Sequence, residues 1–227
     1  MAVIGGSVGI QILVARFKGE GQPHSMAVAS RTGRLCLVAL GTLAAGIVLG
    51  INALGWWKGL LESPDVQAVF EPFLSIRGWG LIPFAVLMAL EADWIGQTKT
   101  RPILFLAFLM ASINIVLDAM WVEGLWGGTA MGAEGAAYAS LVAESVGAVF
   151  AWLWTRRVVH PASFQGSAPL SREMARTWWK LSAPVMGQFG LTIATWTSFF
   201  FFVERVGMLE LKISHLTRNA FMLAFVV

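Results

Sequence analysis

The sequence PILFLAFLMASINIVLDAMWV, residues 102–122, is an apolar run of 21 residues that contains one carboxylate, Asp118. A helix that rises 1.5 Å per residue needs about 20 apolar residues to cross a membrane core, so this run predicts a transmembrane helix. An ionised Asp at the centre of such a helix costs ~2.5 to 3.5 kcal/mol on insertion scales, and such residues therefore face a bundle interior, a cavity or a partner. The run thus predicts both a fold class and a functional residue.

The composition of the whole chain agrees with this interpretation. Of 227 residues, 57% are hydrophobic and 13% are charged, whereas about 25% are charged in a soluble domain. Eleven Trp and fifteen Phe accompany a single Tyr, and Trp favours the membrane–water boundary. The composition predicts an all-α integral membrane protein that meets the lipid bilayer and binds no nucleic acid.

Charged residues divide the chain into seven apolar segments. They are residues 1–15, 35–57, 72–95, 102–122, 135–155, 181–203 and a last segment that starts near Asn219. In the third segment, Arg77, Glu91 and Asp93 mark the ends. We expect Glu91 and Asp93 to lie at a solvated helix end, within reach of Lys99 or Arg101.

Basic residues alternate between the connections. Eleven Lys and Arg lie in residues 16–34, 97–101 and 156–180, whereas the intervening connections hold five, among them Arg77, with seven acids. Because short cytoplasmic loops carry the excess of positive charge, the three basic connections are predicted to be cytoplasmic. The chain is therefore expected to be a multi-pass protein of the cytoplasmic (inner) membrane.

Residues 158–180 form the longest of the predicted cytoplasmic connections, and they contain Pro161, Gly166 and Pro169. This composition predicts a linker between two helical bundles. Ser171 is a candidate N-cap for an interfacial helix that would hold Trp178 and Trp179 at the membrane surface.

Asn114 and Asp118 are four residues apart and share one helix face. Their oxygen atoms suit Na⁺, or a proton if burial favours the protonated carboxyl. The alternative for Asn114 is a hydrogen bond that joins two helices.

The next predicted helix adds two polar residues at comparable depth. Counted inward from the outer loop, Ser140 on that helix is at a similar depth to Asp118. Glu144 would then lie one turn deeper, either contacting a cation or substrate or bonded to Ser145 or water.

The remaining motifs indicate no chemistry. His24, His160 and His215 lie in or near predicted loops, and we find neither metal-ligand spacing nor a phosphate-binding loop. The chain is therefore not expected to be an enzyme, to need a cofactor, or to bind a metal other than Na⁺ at Asp118. The pairs Gly5–Gly9 and Gly46–Gly50 have the GxxxG spacing that permits close helix contact.

Several stretches together resemble the multidrug and toxic compound extrusion (MATE) family of cation-coupled efflux transporters. They are GIQILVARFKGEG (9–21), IRGWGLIPFAVLMAL with IGQTKTR (76–101), NIVLD (114–118), MGAEGAAYAS (131–140) and LSAPVMGQ (181–188). Their order and spacing extend over nearly the whole chain, which makes the resemblance specific.

The resemblance implies a twelve-helix fold of two six-helix bundles. The seven segments would correspond to about helices 2 to 7 and the start of helix 8. Residues 1–157 would then form a partial N-terminal bundle without its first helix, 158–180 a cytoplasmic linker, and 181–227 the start of the C-terminal bundle. With the rest of the transporter missing, this chain alone is expected not to transport.

The resemblance also implies a cation site. In family members with a cation site in the N-terminal bundle, an Asn and an Asp four apart and a hydroxyl residue on the next helix join an acid of the first helix. Here the matching residues are Asn114, Asp118 and Ser140. The leading hypothesis is a fragment of an antiporter that exchanges Na⁺ or H⁺ for lipophilic organic cations by alternating access. The alternatives are a lipid-linked oligosaccharide flippase of related architecture and a membrane fragment without transport.

Overall fold

The computed structural model describes residues 2–59, 64–159 and 168–225, and its regular elements are helical. The α-helices are α1 (Ala2–Gly19), α2 (Pro23–Leu54), α3 (Pro64–Gly96), α4 (Arg101–Trp121), α5 (Ala133–Trp154), α6 (Arg172–Val206) and α7 (Met208–Phe225). Short 3-10 turns follow α2 and α4, and a π-helical turn, Thr155–Val159, extends α5. The predicted all-α class is confirmed.

Five helices of the described chain are long and apolar enough to cross a membrane. These spans are Ala2–Gly19, Pro23–Leu54, Gln67–Gly96, Arg101–Trp121 and Ala133–Arg157. They match the first five predicted segments and confirm a multi-pass membrane protein. α6 contains the sixth segment, but α7 begins at Met208 rather than near Asn219. The predicted start was wrong because Lys212 and Arg218 interrupt the apolar run without interrupting the helix.

The prediction of a separate interfacial helix before residue 181 is also wrong. Ser171 is the N-cap, since its side chain accepts a hydrogen bond from the backbone N–H of Met174 at 3.2 Å. The helix that starts there continues unbroken to Val206. Trp178 is 4% exposed and donates from Nε1 to the carbonyl of Gly6 at 2.9 Å, so it belongs to the core. Residues 160–167 of the predicted linker lie outside the described residues.

The three basic connections meet at one end of the bundle. The Lys18 ammonium donates to Thr98 Oγ1 at 2.5 Å, which joins the α1–α2 turn to the α3–α4 turn. Arg31 donates from Nη1 to the carbonyl of Ala168 at 2.5 Å, which joins α2 to the segment before α6. Alternating ends are the expected result of antiparallel spans, and they agree with the charge pattern.

Close contact between α1 and α6 depends on glycine. A Cβ at Gly5 would lie 2.8 Å from backbone atoms of Met186, and a Cβ at Gly9 would overlap Ser182 Oγ. Gly46 and Gly50 have the same spacing, but a Cβ at either meets nothing within 4 Å. Of the two GxxxG pairs, only the first forms a helix contact among the described residues.

Candidate cation site

Asn114 and Asp118 lie half-buried on one face of α4. The Oδ1 atom of each side chain is buried and has no hydrogen-bond partner among the residues that the structure describes. A buried oxygen without a donor is costly, because it loses its hydration and gains no replacement. Two such atoms one helical turn apart therefore form a place where a cation would lower the free energy of the protein.

Asp118 also lies in the last turn of α4, which ends at Trp121. The last carbonyls of a helix have no partner within it, and they place a partial negative charge at its C-terminus. Two of these carbonyls are already bonded and are not free to bind a cation directly: that of Asp118 accepts from the Val122 N–H at 2.8 Å, and that of Trp121 accepts from the Met131 N–H at 2.7 Å. The field of the helix end favours a cation at the Asp118 carboxylate.

The register of α4 against α5 sets the depth of Ser140. A Cβ at Gly147 would meet Met110, and a Cβ at Gly135 would meet Trp121. Interpolation between these two contacts along the antiparallel pair places residue 140 level with residues 116 and 117. Ser140 therefore lies between the levels of Asn114 and Asp118, close to the predicted depth.

The facing directions agree with this register. Asn114 is four residues from Met110 and seven from Trp121, so it shares the face of α4 that contacts α5. Ser140 is seven residues from Gly147 and shares the face of α5 that contacts α4. The Ser140 side chain is half-buried, and the structure gives its hydroxyl no partner among the described residues. An amide, a carboxylate and a hydroxyl oxygen are thus available at one level, a set that suits Na⁺.

Glu144 has a different environment, since it forms an ion pair with Arg77 of α3. Arg77 Nη1 donates to Glu144 Oε1 at 3.1 Å, and the two side chains are 34% and 11% exposed. Ser145 is not the partner of Glu144, because its hydroxyl donates to the carbonyl of Leu141 within its own helix. The second carboxylate oxygen of Glu144, Oε2, is buried without a hydrogen-bond partner among the described residues. An arginine that we had placed at a helix end on the outer side thus balances an acid within the span.

Gly80 makes room for this ion pair. A Cβ at residue 80 would lie 3.2 Å from Glu144 Oε2 and 3.6 Å from Arg77 Nη1. The glycine therefore lets the two charged side chains lie against the backbone of α3, between α3 and α5.

A second ion pair corrects another prediction. Asp93 is 0% exposed, whereas we expected a solvated carboxylate. Arg34 of α2 reaches Asp93 Oδ2 at 3.9 Å, and Gln97 donates to Oδ1 at 3.2 Å. The carboxylate lies inside the bundle because α2 supplies its counter-charge. Glu91 is half-buried, and nothing in the described structure explains an acid at that position.

Comparison with known proteins gives a consistent result. A family model described as MatE matches residues 1–120. Over 144 residues the chain is 26% identical to the probable multidrug resistance protein NorM of Synechocystis sp., which covers 63% of this chain and 31% of that protein. The match thus spans about a third of the length of this relative.

Solved structures show the same fold. A MOP superfamily transporter from Pyrococcus furiosus, whose binding pocket is described as having reverse polarity, superposes with a TM-score of 0.83 at 19% identity. A multidrug resistance MATE family transporter in the outward-facing conformation superposes with a TM-score of 0.80 at 20% identity. Each alignment covers 99% of this chain and 49% of the other, so the chain spans about half the length of these transporters.

Proposed function

Since this chain belongs to the MatE family, whose model matches more than half of its residues, we propose that it forms part of a cation-coupled multidrug exporter. The exporter would exchange Na⁺ or H⁺ for lipophilic organic cations across the inner membrane by alternating access. The name of the curated relative supports the substrate class. Asn114, Asp118 and Ser140 bind the coupling cation in this proposal.

One observation carries the proposed site. Asn114 Oδ1 and Asp118 Oδ1 are buried oxygens without a hydrogen-bond partner in the described structure, and they lie four residues apart in a transmembrane span. A polar side chain that merely joined two helices would already have its partner. A carboxylate oxygen and an amide oxygen that both lack a partner instead fit a ligand that binds reversibly.

The cation acts by binding the alternating-access states with different affinities. A ligand shifts a conformational equilibrium only by its differential affinity for the states, and the coupling between two ligands is reciprocal. In this proposal, the cation at Asp118 favours one state and the organic substrate favours the other. Neutralising Asp118 would therefore uncouple transport without removing the helices that enclose the substrate.

Glu144 is left out of the proposed site because Arg77 already balances its charge. The ion pairs also weigh against the flippase. A protein that moves a lipid-linked pyrophosphate needs basic side chains available in its cavity. Arg77 and Arg34, which lie within described spans, are each paired with an acid.

The test is efflux of ethidium from drug-sensitive bacteria that express the complete gene product carrying this sequence. We expect ion-dependent efflux that falls at least about 100-fold in Asp118→Asn, because the carboxylate is the proposed cation ligand. Glu123→Gln is the matched control, since Glu123 is an exposed acid just past the end of α4. Efflux that stays ion-dependent and unchanged in Asp118→Asn would overturn the site. Absence of efflux in the wild type would overturn the function.

A further inference from the structure

A cavity lies beside α4, and its lining residues do not include Asn114, Asp118 or Ser140. It has a volume of about 460 Å³ and lies between α4 and α5. Its walls are almost entirely apolar and are formed by Phe105, Phe108, Leu109, Ser112, Phe150 and Trp154. Phe105 and Phe108 are 61% and 75% exposed, so the cavity is a groove open to the surroundings of the bundle.

The groove, together with the helical turn that leads from Arg101 to it, has about the length of the hydrocarbon part of one lipid leaflet. Its wall on α4 is a single stripe of residues spaced three or four apart, and Arg101 precedes Phe105 on that stripe by one turn. From Arg101 to Ser112 the helix rises roughly 16 Å, at 1.5 Å per residue. Half of a typical hydrocarbon core is about 15 Å thick. An acyl chain that starts beside Arg101 would therefore end near Ser112, at about the bilayer midplane.

Two exposed arginines lie close to the lining residues in the sequence. Arg101 precedes Phe105 by one helical turn, and Arg157 follows Trp154 by three residues. Arg156 places its guanidinium 4.5 Å from the ring centroid of Trp152. Basic pockets between transmembrane helices bind anionic lipid headgroups, and a guanidinium can bind a phosphate through two parallel hydrogen bonds.

We propose that this groove is a binding site for one anionic phospholipid of the leaflet that faces the basic connections. An acyl chain fills the aromatic groove, and the phosphodiester lies between Arg101 and Arg157. The charge at one end and the apolar length match a single amphiphile. The site is separate from Asp118 and does not depend on transport.

The experiment is native mass spectrometry of the purified chain with dioleoylphosphatidylglycerol or dioleoylphosphatidylcholine. We expect one phosphatidylglycerol to be retained at least about fivefold more tightly than phosphatidylcholine. Arg101→Gln and Arg157→Gln should each weaken that preference about fivefold, the usual effect of one basic residue at a membrane surface. Arg176→Gln is the control, because Arg176 is an exposed arginine of α6 away from the groove.

A second pair of variants tests the apolar half of the site. Leu109→Trp fills the groove and should abolish retention of phosphatidylglycerol, whereas Leu104→Trp, at a 74% exposed position outside it, should not. Equal retention of the two lipids, or equal loss in the two tryptophan variants, overturns the proposal. Two further results would overturn it. The first is that the chain forms a dimer and that Leu109→Trp disrupts this dimer, and the second is that ethidium displaces the lipid. If Leu109→Trp does not fold, the two exposed arginines still decide the outcome.

Discussion

Two carboxylates of neighbouring transmembrane helices differ in whether a basic side chain balances their charge. Glu144 of α5 meets the guanidinium of Arg77 at 3.1 Å through Oε1, so its charge is balanced within the bundle, although its Oε2 is buried without a hydrogen-bond partner among the described residues. Asp118 of α4 has a buried Oδ1 without a hydrogen-bond partner in the described part of the chain. We therefore assign the first acid to packing and propose the second as the ligand of the coupling cation.

The difference follows from the neighbours of each helix. α5 packs against α3, which supplies both Arg77 and the space above Gly80. The side chain of Asn114, one turn from Asp118, offers a further oxygen rather than a positive charge. An acid in a membrane needs a counter-charge, and the chain supplies one at Glu144 but not, among the described residues, at Asp118.

The largest stability effect is expected for the buried Asp93, which resembles Glu144 in having an internal counter-charge. Asp93→Asn leaves Arg34 opposite a neutral side chain, and breaking a buried ion pair costs about 3 to 5 kcal/mol. Asp118→Asn, the same substitution at the unpaired site, should leave stability unchanged or slightly higher. Reversible unfolding in mixed micelles without Na⁺ measures both. Equal losses in the two variants would remove the distinction between paired and unpaired acids.

A smaller loss is expected for Glu144→Gln. We expect a decrease of roughly 2 kcal/mol in the free energy of unfolding, below the value for a fully buried pair because Arg77 is one-third exposed. Arg77→Gln with Glu144→Gln should recover at least half of this loss, since neither charge is then left alone. The same unfolding assay measures the double-mutant cycle. Additive losses would show that the two residues do not interact.

Ser140→Ala tests the unpaired site without changing its charge. Loss of one neutral oxygen ligand should weaken binding of the coupling cation about tenfold, or 1.4 kcal/mol. Ser145→Ala is the matched control on the same helix, because its hydroxyl is already bonded to the carbonyl of Leu141. Binding of ²²Na⁺, or of protons followed with a pH dye, gives the affinity. Equal effects of the two serine variants would exclude Ser140 from the site.

The smallest effect is expected for Gly80→Ala. In a helix interior Ala is favoured over Gly by roughly 0.5 to 1 kcal/mol, and Gly46→Ala should gain this amount because its Cβ meets nothing within 4 Å. At Gly80 the new methyl lies 3.2 Å from Glu144 Oε2, so the ion pair must shift by a few tenths of an ångström. We expect little or no gain there. A full gain would show that the pair tolerates displacement.

Local spacing alone led to the candidate site, whose role in cation binding stays a prediction. Asn114 and Asp118 are four residues apart on one helix, and Ser140 lies on the following span, so depth could be counted across one short connection. The two ion pairs could not be found in this way. Arg77 and Glu144 are 67 residues apart on helices that are not consecutive. The local sequence around either residue does not predict its contact with the other.

Trp178 shows the same limit for burial. A Trp beside a basic segment is typical of a membrane surface, but here α1 offers a carbonyl and glycines that accept the indole. Tertiary packing overrode the local pattern. The remaining helix boundary that was wrong, at Met208, reflects a charge pattern that marks the limits of an apolar run and not the limits of a helix.

The most direct test is carbodiimide labelling of the purified chain, read residue by residue by mass spectrometry. Dicyclohexylcarbodiimide modifies carboxyl groups in apolar surroundings, so it compares the two acids in one sample. We expect Asp118 to be modified and to be protected by Na⁺, whereas Glu144 reacts only after Arg77→Gln removes its counter-charge. Modification of Glu144 as readily as Asp118 in the wild type, or labelling of Asp118 that Na⁺ leaves unchanged, would contradict the assignment of Asp118 as the Na⁺-binding acid.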